Sequence, residues 1–284
     1  MPAAGEAMGW IAATGERLIT RDVFMSEETA PAFLERPDGT AIAYHRVRPA
    51  SPAPGPGVIF CGGFKSDMTG TKAVALDAHC RAAGRAFLRF DYFGHGATGG
   101  DFEAGTIGRW TDDTVAALDA LTEGPQVIVG SSMGGWIMLL AALQRRQRVA
   151  GLVGIAPAAD FTQRLMWERL PESVRETLRR DGVWRRPSAY DDGPYAITAA
   201  LIEEGRRHLL LDGEVPLHCP VRILQGMRDP DVPWRHALAL VEALAGEDVV
   251  LTLVKDGDHR LSRPEDIDRL LRTVDELCRQ VAAT

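Results

Sequence analysis

Residues Gly130-Ser131-Ser132-Met133-Gly134 lie between the short apolar run Gln126-Val127-Ile128-Val129 and the run Gly135-Trp136-Ile137-Met138-Leu139-Leu140-Ala141-Ala142. The first run is compatible with a strand. The second is rich in helix formers and continues to Arg145-Arg146, where basic side chains suit a helix C-terminus. A serine held between a strand and a helix occupies a sharp turn. The residues two before and two after it must be small, because a Cβ there would strike neighbouring backbone. The spacing reads as a nucleophile elbow centred on Ser132, with its Oγ at the C-terminal edge of a sheet. The helix start behind it offers the backbone N–H of Met133 to a developing anion.

The rest of the chain supports a strand followed by a helix as its repeating unit. Strand and helix patterns alternate over Val58–Phe60, Thr71–Ala83, Ala86–Phe90, Trp110–Leu121, Gln126–Val129, Met133–Arg145 and Leu152–Ile155. They break at Pro157 and resume over Val221–Gln225, Trp234–Ala245, Val249–Val254 and Glu265–Val281. Such alternation predicts an α/β fold with a mostly parallel twisted sheet and flanking helices. Ahead of it, Pro37-Asp38-Gly39-Thr40 separates the strand-like runs Ala32–Arg36 and Ile42–Val47, which predicts an antiparallel N-terminal hairpin. The domain reading is a core of residues 31–159 and 216–284, with a helical lid inserted at 160–215. Residues 1–30 show little periodicity and read as an extension without regular structure, with Met25 as an alternative initiator.

Composition excludes several classes of function. A net charge of −7 leaves no basic footprint for nucleic acid, and 45% apolar residues are ordinary for a globular protein. No apolar stretch is long enough to cross a bilayer, and there is no basic region followed by an apolar one at the N-terminus. Cys61, Cys80, Cys219 and Cys278 are scattered without a Cys-x-x-Cys pair, so they read as buried thiols of a reducing compartment without disulfides. These features predict a cytoplasmic address. No metal-ligand spacing or P-loop is present, so neither metal nor cofactor is expected. Gly94-His95-Gly96-Ala97-Thr98-Gly99 formally matches a dinucleotide fingerprint, but no helix N-terminus follows to hold a pyrophosphate. Asp91 and His95 are expected to hold that loop by local hydrogen bonds, with His95 a lesser candidate for the rim of a pocket.

A serine hydroxyl needs a base to take its proton and a third group to hold that base in one tautomer. On a strand-turn-helix nucleophile the chain order is serine, acid, histidine. Of the seven histidines, His236 and His259 follow a plausible acid. His259 lies in the loop Lys255-Asp256-Gly257-Asp258-His259 after a strand and is the expected base. His236 falls in the first turns of a helix and is expected to face solvent or to pack. Asp229 stands three residues past the glycine that ends the preceding strand and is the expected acid. Asp231, just ahead of Pro233, reads as a helix cap, and Asp256 and Asp258 as turn residues. The second oxyanion donor is expected from Cys61-Gly62-Gly63-Phe64, with the N–H of Phe64 beside that of Met133.

Within the insertion, Trp167, Trp184 and Tyr190 are the expected substrate-binding aromatics. Phe161, Leu165, Met166 and Tyr195 supply further apolar surface. Arg175, Arg179, Arg180, Arg185, Arg186, Arg206 and Arg207 read as a solvated face from which one could meet a substrate carboxylate.

With these residues placed, the chain from about residue 32 onward resembles the α/β-hydrolase superfamily. Gly63-Phe64-Lys65-Ser66-Asp67-Met68-Thr69-Gly70-Thr71-Lys72-Ala73, Phe90-Asp91-Tyr92-Phe93-Gly94-His95-Gly96, Gly130–Trp136, Gly226-Met227-Arg228-Asp229, Val232-Pro233-Trp234 and Asp258-His259-Arg260 carry a closer likeness. They are similar to the branch holding a mitochondrial palmitoyl-protein thioesterase that also cleaves mycophenolic acid acyl-glucuronide, and its bacterial relatives. The resemblance implies hydrolysis of activated acyl esters or thioesters, of small molecules or acylated proteins, with Ser132, Asp229 and His259 as triad. It covers the insertion less well, which leaves the acyl group open, and oligomeric state is not legible. The relatives' location does not carry over in this reading, because an Arg/Ser-rich, acid-poor transit segment is lacking. A peptidase or lyase on the same triad, or a ligand receptor of the same fold, are the alternatives.

Overall fold

The computed structural model describes residues 30–49, 51, 55–186 and 195–283. The extension expected at the N-terminus falls outside them up to residue 29, as does the candidate Tyr190. In chain order the elements are β1 (Ala32–Glu35), β2 (Ala41–Val47), β3 (Gly57–Cys61), α1 (Thr71–Ala82), β4 (Phe87–Phe90), α2 (Ile107–Leu121), β5 (Gln126–Ser131), α3 (Met133–Gln144) and β6 (Val149–Ile155). Then come α4 (Glu172–Asp181), β7 (Val183–Arg186), β8 (Tyr195–Thr198), α5 (Ala199–Gly205), β9 (Val221–Gly226), α6 (Trp234–Ala243), β10 (Val249–Val254) and α7 (Pro264–Ala282).

Eight strands form one sheet in the order β1-β2-β4-β3-β5-β6-β9-β10. β1 and β2 pair antiparallel, and so do β2 and β4, while every pairing from β4 through β3 to β10 is parallel. The expected N-terminal hairpin closes because Asp38 accepts hydrogen bonds from both the backbone N–H and the hydroxyl of Thr40, while Gly39 takes a positive φ of 80°. The central strands β3 and β5 are buried along their whole length, as strands covered on both faces must be.

Two apolar layers explain which helix lies on which face. Trp110 and Leu121 of α2, Trp136 and Leu139 of α3 and Leu240 of α6 pack with Ile59, Leu88 and Ile128. Leu76 and Cys80 of α1 pack with Val274 and Leu277 of α7 on the alternate residues Val58, Phe60 and Val127. Side chains alternate across a strand, so each strand feeds both layers. α3 is buried from Met133 to Ala142, which explains why its sequence is apolar on every face instead of amphipathic. α2 begins three residues earlier than its apolar periodicity suggests, because the Thr106 hydroxyl accepts from the N–H of Arg109 and caps it.

The segment between β6 and β9 departs from the all-helical expectation. A π-helical turn over Thr162–Met166 leads to α4, which ends at Gly182 with φ 74°, and the chain then forms the antiparallel pair β7 and β8. Trp184 stands opposite Ile197, and the two pack with Leu178 and Ile202 on one face of the pair. The β-branched and aromatic residues Val183, Trp184, Ile197 and Thr198 favour strands, and the left-handed glycine stops α4 before it reaches them. All four cysteines are unpaired, with Cys61, Cys80 and Cys278 buried.

Candidate active site

The turn joining β5 to α3 places Ser132 at φ 54° and ψ −119°, a conformation rare for a residue with a side chain. Surrounding bonds impose it. The Ser132 N–H donates to the Ile155 carbonyl at 2.9 Å, and the Ser132 carbonyl accepts from Gly135 and Ala158 at 2.9 and 3.0 Å. The flanking glycines are required by close approach: a Cβ on Gly130 would come 2.4 Å from the Gly134 carbonyl oxygen, and one on Gly134 would come 2.2 Å from that of Cys61. The serine is thus held at the edge of the sheet with its hydroxyl free of the helix.

β9 delivers Asp229 to the same edge. Its side chain is fully buried, and Oδ1 accepts from the backbone N–H groups of Asp231 and Val232 at 2.9 and 2.8 Å. Oδ2 accepts from the Gln225 amide at 3.1 Å and from His259 Nδ1 at 2.8 Å. With Nδ1 donating to the carboxylate, Nε2 carries the lone pair, and it lies 3.0 Å from Ser132 Oγ. Residues separated by 127 positions therefore form one continuous hydrogen-bonded chain.

The other candidates fall elsewhere. His236 does not face solvent: its Nε2 lies 2.7 Å from the Ala159 carbonyl and it packs as a half-buried side chain. Asp231 does not cap α6, whose N-cap is Pro233; its carboxylate instead lies 4.0 Å from Arg186. Asp258 accepts from the N–H of Leu261 as a turn residue does, while Asp256 pairs with Arg263 at 2.6 Å. Among the described residues, Asp229, Asp231 and His259 bring ligand atoms within 4.8 Å of one another. The facing atoms of Asp229 and His259 are already spent on each other, which leaves no ready metal-ligand set.

A cavity of about 1040 Å³ opens over Ser132 and His259. Gly63 and Phe64 form its floor beside the serine, where a Cβ on Gly63 would be 3.6 Å from Ser132 Cβ. Met133, whose N–H lies in the first turn of α3 with no preceding helical carbonyl, lines it as well. Leu165, Met166, Leu170, Trp184 and Ile197 supply an apolar wall, and Lys72, Arg169 and Arg186 a basic rim. Trp167 is not part of this wall. Its ring packs near Leu178 and Ile197 from outside, with the guanidinium groups of Arg175, Arg179 and Arg206 at 5.4, 5.3 and 4.9 Å from the ring centre. Three cations around one indole account for part of the basic face of the insertion.

Residues 53–200 match the family described as serine aminopeptidase, S33. The palmitoyl-protein thioesterase ABHD10 of Bos taurus is 42% identical over 253 residues, which is 88% of this chain and 80% of the relative. The chain belongs to the α/β-hydrolase family, in the branch of the ABHD10 thioesterases. It is accordingly a hydrolase. Mouse ABHD10 superimposes with a TM-score of 0.80 at 40% identity, covering 87% of this chain and 98% of that one. A protein from Agrobacterium vitis S4 described as a hydrolase gives 0.83 at 45% identity, covering 88% and 97%. The expected cytoplasmic address is overturned: the matching curated relatives, from Bos taurus and Homo sapiens to Mus musculus, are each named mitochondrial. That expectation rested on a leader pattern missing from the first residues, and such an absence does not weigh against the named location of relatives this similar.

Two positioning side chains escaped the sequence reading. Gln225, fully buried at the end of β9, donates to Asp229, to Val232 and to Gly226; a polar amide closing an apolar strand was the available sign. Lys72 donates from the first turn of α1 to the carbonyl of Arg260 at 2.7 Å and to the Ser262 hydroxyl at 3.3 Å, pinning the loop just past His259. A cation at a helix N-terminus runs against the helix dipole, so something else must hold it there.

Burial pushes Lys72 down to about 8, with the nearby Arg260 adding to the effect. The folded protein therefore releases the Lys72 proton more readily than the unfolded chain, and its stability relative to Lys72→Met is expected to rise as pH climbs from about 8 toward the ordinary lysine value. Urea midpoints of the two proteins at neutral and alkaline pH check this; a constant gap contradicts it.

Proposed function

We propose that this chain hydrolyses activated acyl esters or thioesters through an acyl-enzyme on Ser132, with His259 as base and Asp229 as its orienting acid. The hydrogen-bonded sequence from Asp229 through His259 to Ser132 carries the reading, and the thioesterase names of its relatives support the substrate class. His259 Nε2 takes the hydroxyl proton as Ser132 Oγ bonds to the acyl carbon, and the carbonyl electrons move onto oxygen. The N–H groups of Phe64 and Met133 meet that oxyanion. As the intermediate collapses, the bond to the thiol or alcohol breaks and His259 returns its proton to the leaving group. Water then enters and loses a proton to Nε2 as its oxygen bonds to the acyl carbon; the bond to Ser132 Oγ breaks, the acid leaves, and Nε2 returns the proton to Oγ. No step calls for a metal or cofactor.

The segment from residue 160 to 215 acts as the lid in this reading, and the acyl chain lies along Leu165, Met166, Leu170, Trp184 and Ile197. Each buried methylene contributes up to about 0.8 kcal/mol, so kcat/KM should climb several-fold per step over a short acyl series and level off when the wall is covered. Trp184→Ala should move that optimum, while Trp167→Ala, outside the cavity, should leave it in place. The test is kcat/KM for thioesters from acetyl to palmitoyl beside matched aminoacyl amides. A preference for the amides, or rates independent of acyl length, contradicts the assignment.

A further inference from the structure

The loop after β4, which resembles a dinucleotide fingerprint without being one, reaches the floor of the cavity with a buried imidazole. His95 is 3% exposed and packed edge-on against Tyr92, Phe102 and Trp110, with ring centres 5.5, 5.1 and 5.2 Å away. Its Nδ1 donates to the Phe93 carbonyl at 3.1 Å, and its Nε2 faces the backbone N–H of Lys65 at 3.2 Å. One nitrogen is thus a donor and the other an acceptor, which fixes the ring as a neutral imidazole of one tautomer. Burial pushes it the same way, below the ordinary histidine value.

The bond to Lys65 falls where the backbone is least comfortable. The N–H of Ser66 and its hydroxyl both donate to the Gly63 carbonyl, at 3.2 and 2.8 Å, closing Gly63-Phe64-Lys65-Ser66 into a tight turn. Lys65 is the third residue of that turn and has φ 59°, a conformation that glycine or asparagine normally supplies at this place. A turn with a bulky residue here relaxes by flipping the peptide between its second and third residues, which removes the positive φ. That peptide joins Phe64 to Lys65. The flip would swing the Phe64 carbonyl toward the lone pair of His95 Nε2 in place of an N–H. The neutral ring therefore rewards one orientation and opposes the other. Farther along the loop, Asp91 holds the N–H of Met68 at 2.7 Å, so the turn is clamped at its strained corner by His95 and at its exit by Asp91.

We infer that His95 is a positioning residue for the hydrolysis: by holding the Phe64–Lys65 peptide in its strained orientation, it keeps the Gly63–Ser66 turn from relaxing, and with it the Phe64 N–H of the preceding peptide set against the oxyanion. This rests on the acyl-enzyme reading above. Because a donor of this kind acts on the transition state more than on bound substrate, the effect belongs in kcat and not in KM. A complete oxyanion donor is worth about 10²–10³ in kcat, and a donor left in place but loosely aimed should cost less, on the order of 10–30-fold.

The test compares His95→Ala and His95→Gln with the wild type, using a thioester substrate, an acyl trifluoromethyl ketone that forms a tetrahedral adduct, and the free acid product. For His95→Ala the expected result is a loss of about 10–30-fold in both kcat and ketone affinity, with KM and affinity for the acid within about twofold. Gln, whose carbonyl oxygen can accept from Lys65, should recover most of that loss and keeps the comparison available if the alanine variant folds poorly. Equal losses for ketone and acid in these variants, or unchanged kcat, overturn the positioning role while leaving the acyl-enzyme intact. A wild-type protein that forms no adduct with the ketone overturns both.

Discussion

Replacing Ser132 with Ala is expected to lower kcat by about 10⁴–10⁶ while leaving the protein folded, because the members of a nucleophile–base unit act together and lose nearly everything when one is removed. Alanine keeps the volume close to that of serine. It does inherit the φ of 54°, but the three backbone bonds at this residue remain to impose that conformation. Thermal melting should therefore move by only a few degrees. Ser131→Ala removes a neighbouring hydroxyl from the same turn and should retain most activity. Steady-state rates and melting curves for the two variants separate loss of chemistry from loss of structure. An active Ser132→Ala protein contradicts the assignment.

His259→Ala should be nearly as damaging, and Asp229→Asn should cost about 10⁴, because an amide that donates to Nδ1 would favour the tautomer with its proton on Nε2. The Asn variant also disturbs a crowded carboxylate: Oδ1 serves two backbone N–H groups and Oδ2 serves Gln225 as well as His259. Part of its cost should therefore appear as lower stability, unlike that of His259→Ala. Combining Asp229→Asn with His259→Ala should add little to the loss of activity, since the carboxylate acts through the imidazole. His236→Ala, which loses a bond to the Ala159 carbonyl, should be mild. Full activity in His259→Ala together with inactivity in His236→Ala reverses the choice of base.

The legible parts of this molecule are those where a local rule and the global fold agree. Ser132 follows β5 directly, while Asp229 and His259 lie three and five residues past the ends of β9 and β10, so chain order and a place in a post-strand loop nominate them before any contact is known. β10 begins and ends where its β-branched run does, and α7 extends only one residue beyond its apolar periodicity at either end. The insertion was harder because its residues answer to neighbours remote in sequence. Val183 and Trp184 become a strand only because Ile197 and Thr198 return to pair with them. Trp167, expected in the cavity, is drawn outward by three arginines that no helical period places around one ring. Lys72 and Gln225 are hard to assign a role for a similar reason: the Arg260 carbonyl lies 188 residues from Lys72, and what Gln225 does depends on how the Asp229 carboxylate turns.

The most direct measurement is the site of covalent labelling by a fluorophosphonate, read by mass spectrometry of the digested protein. A single adduct is expected on Ser132, formed by the wild type and by Ser131→Ala but absent from Ser132→Ala and strongly slowed in His259→Ala. An adduct on Ser131 or another residue, or a folded wild-type protein that takes up no label, contradicts the account.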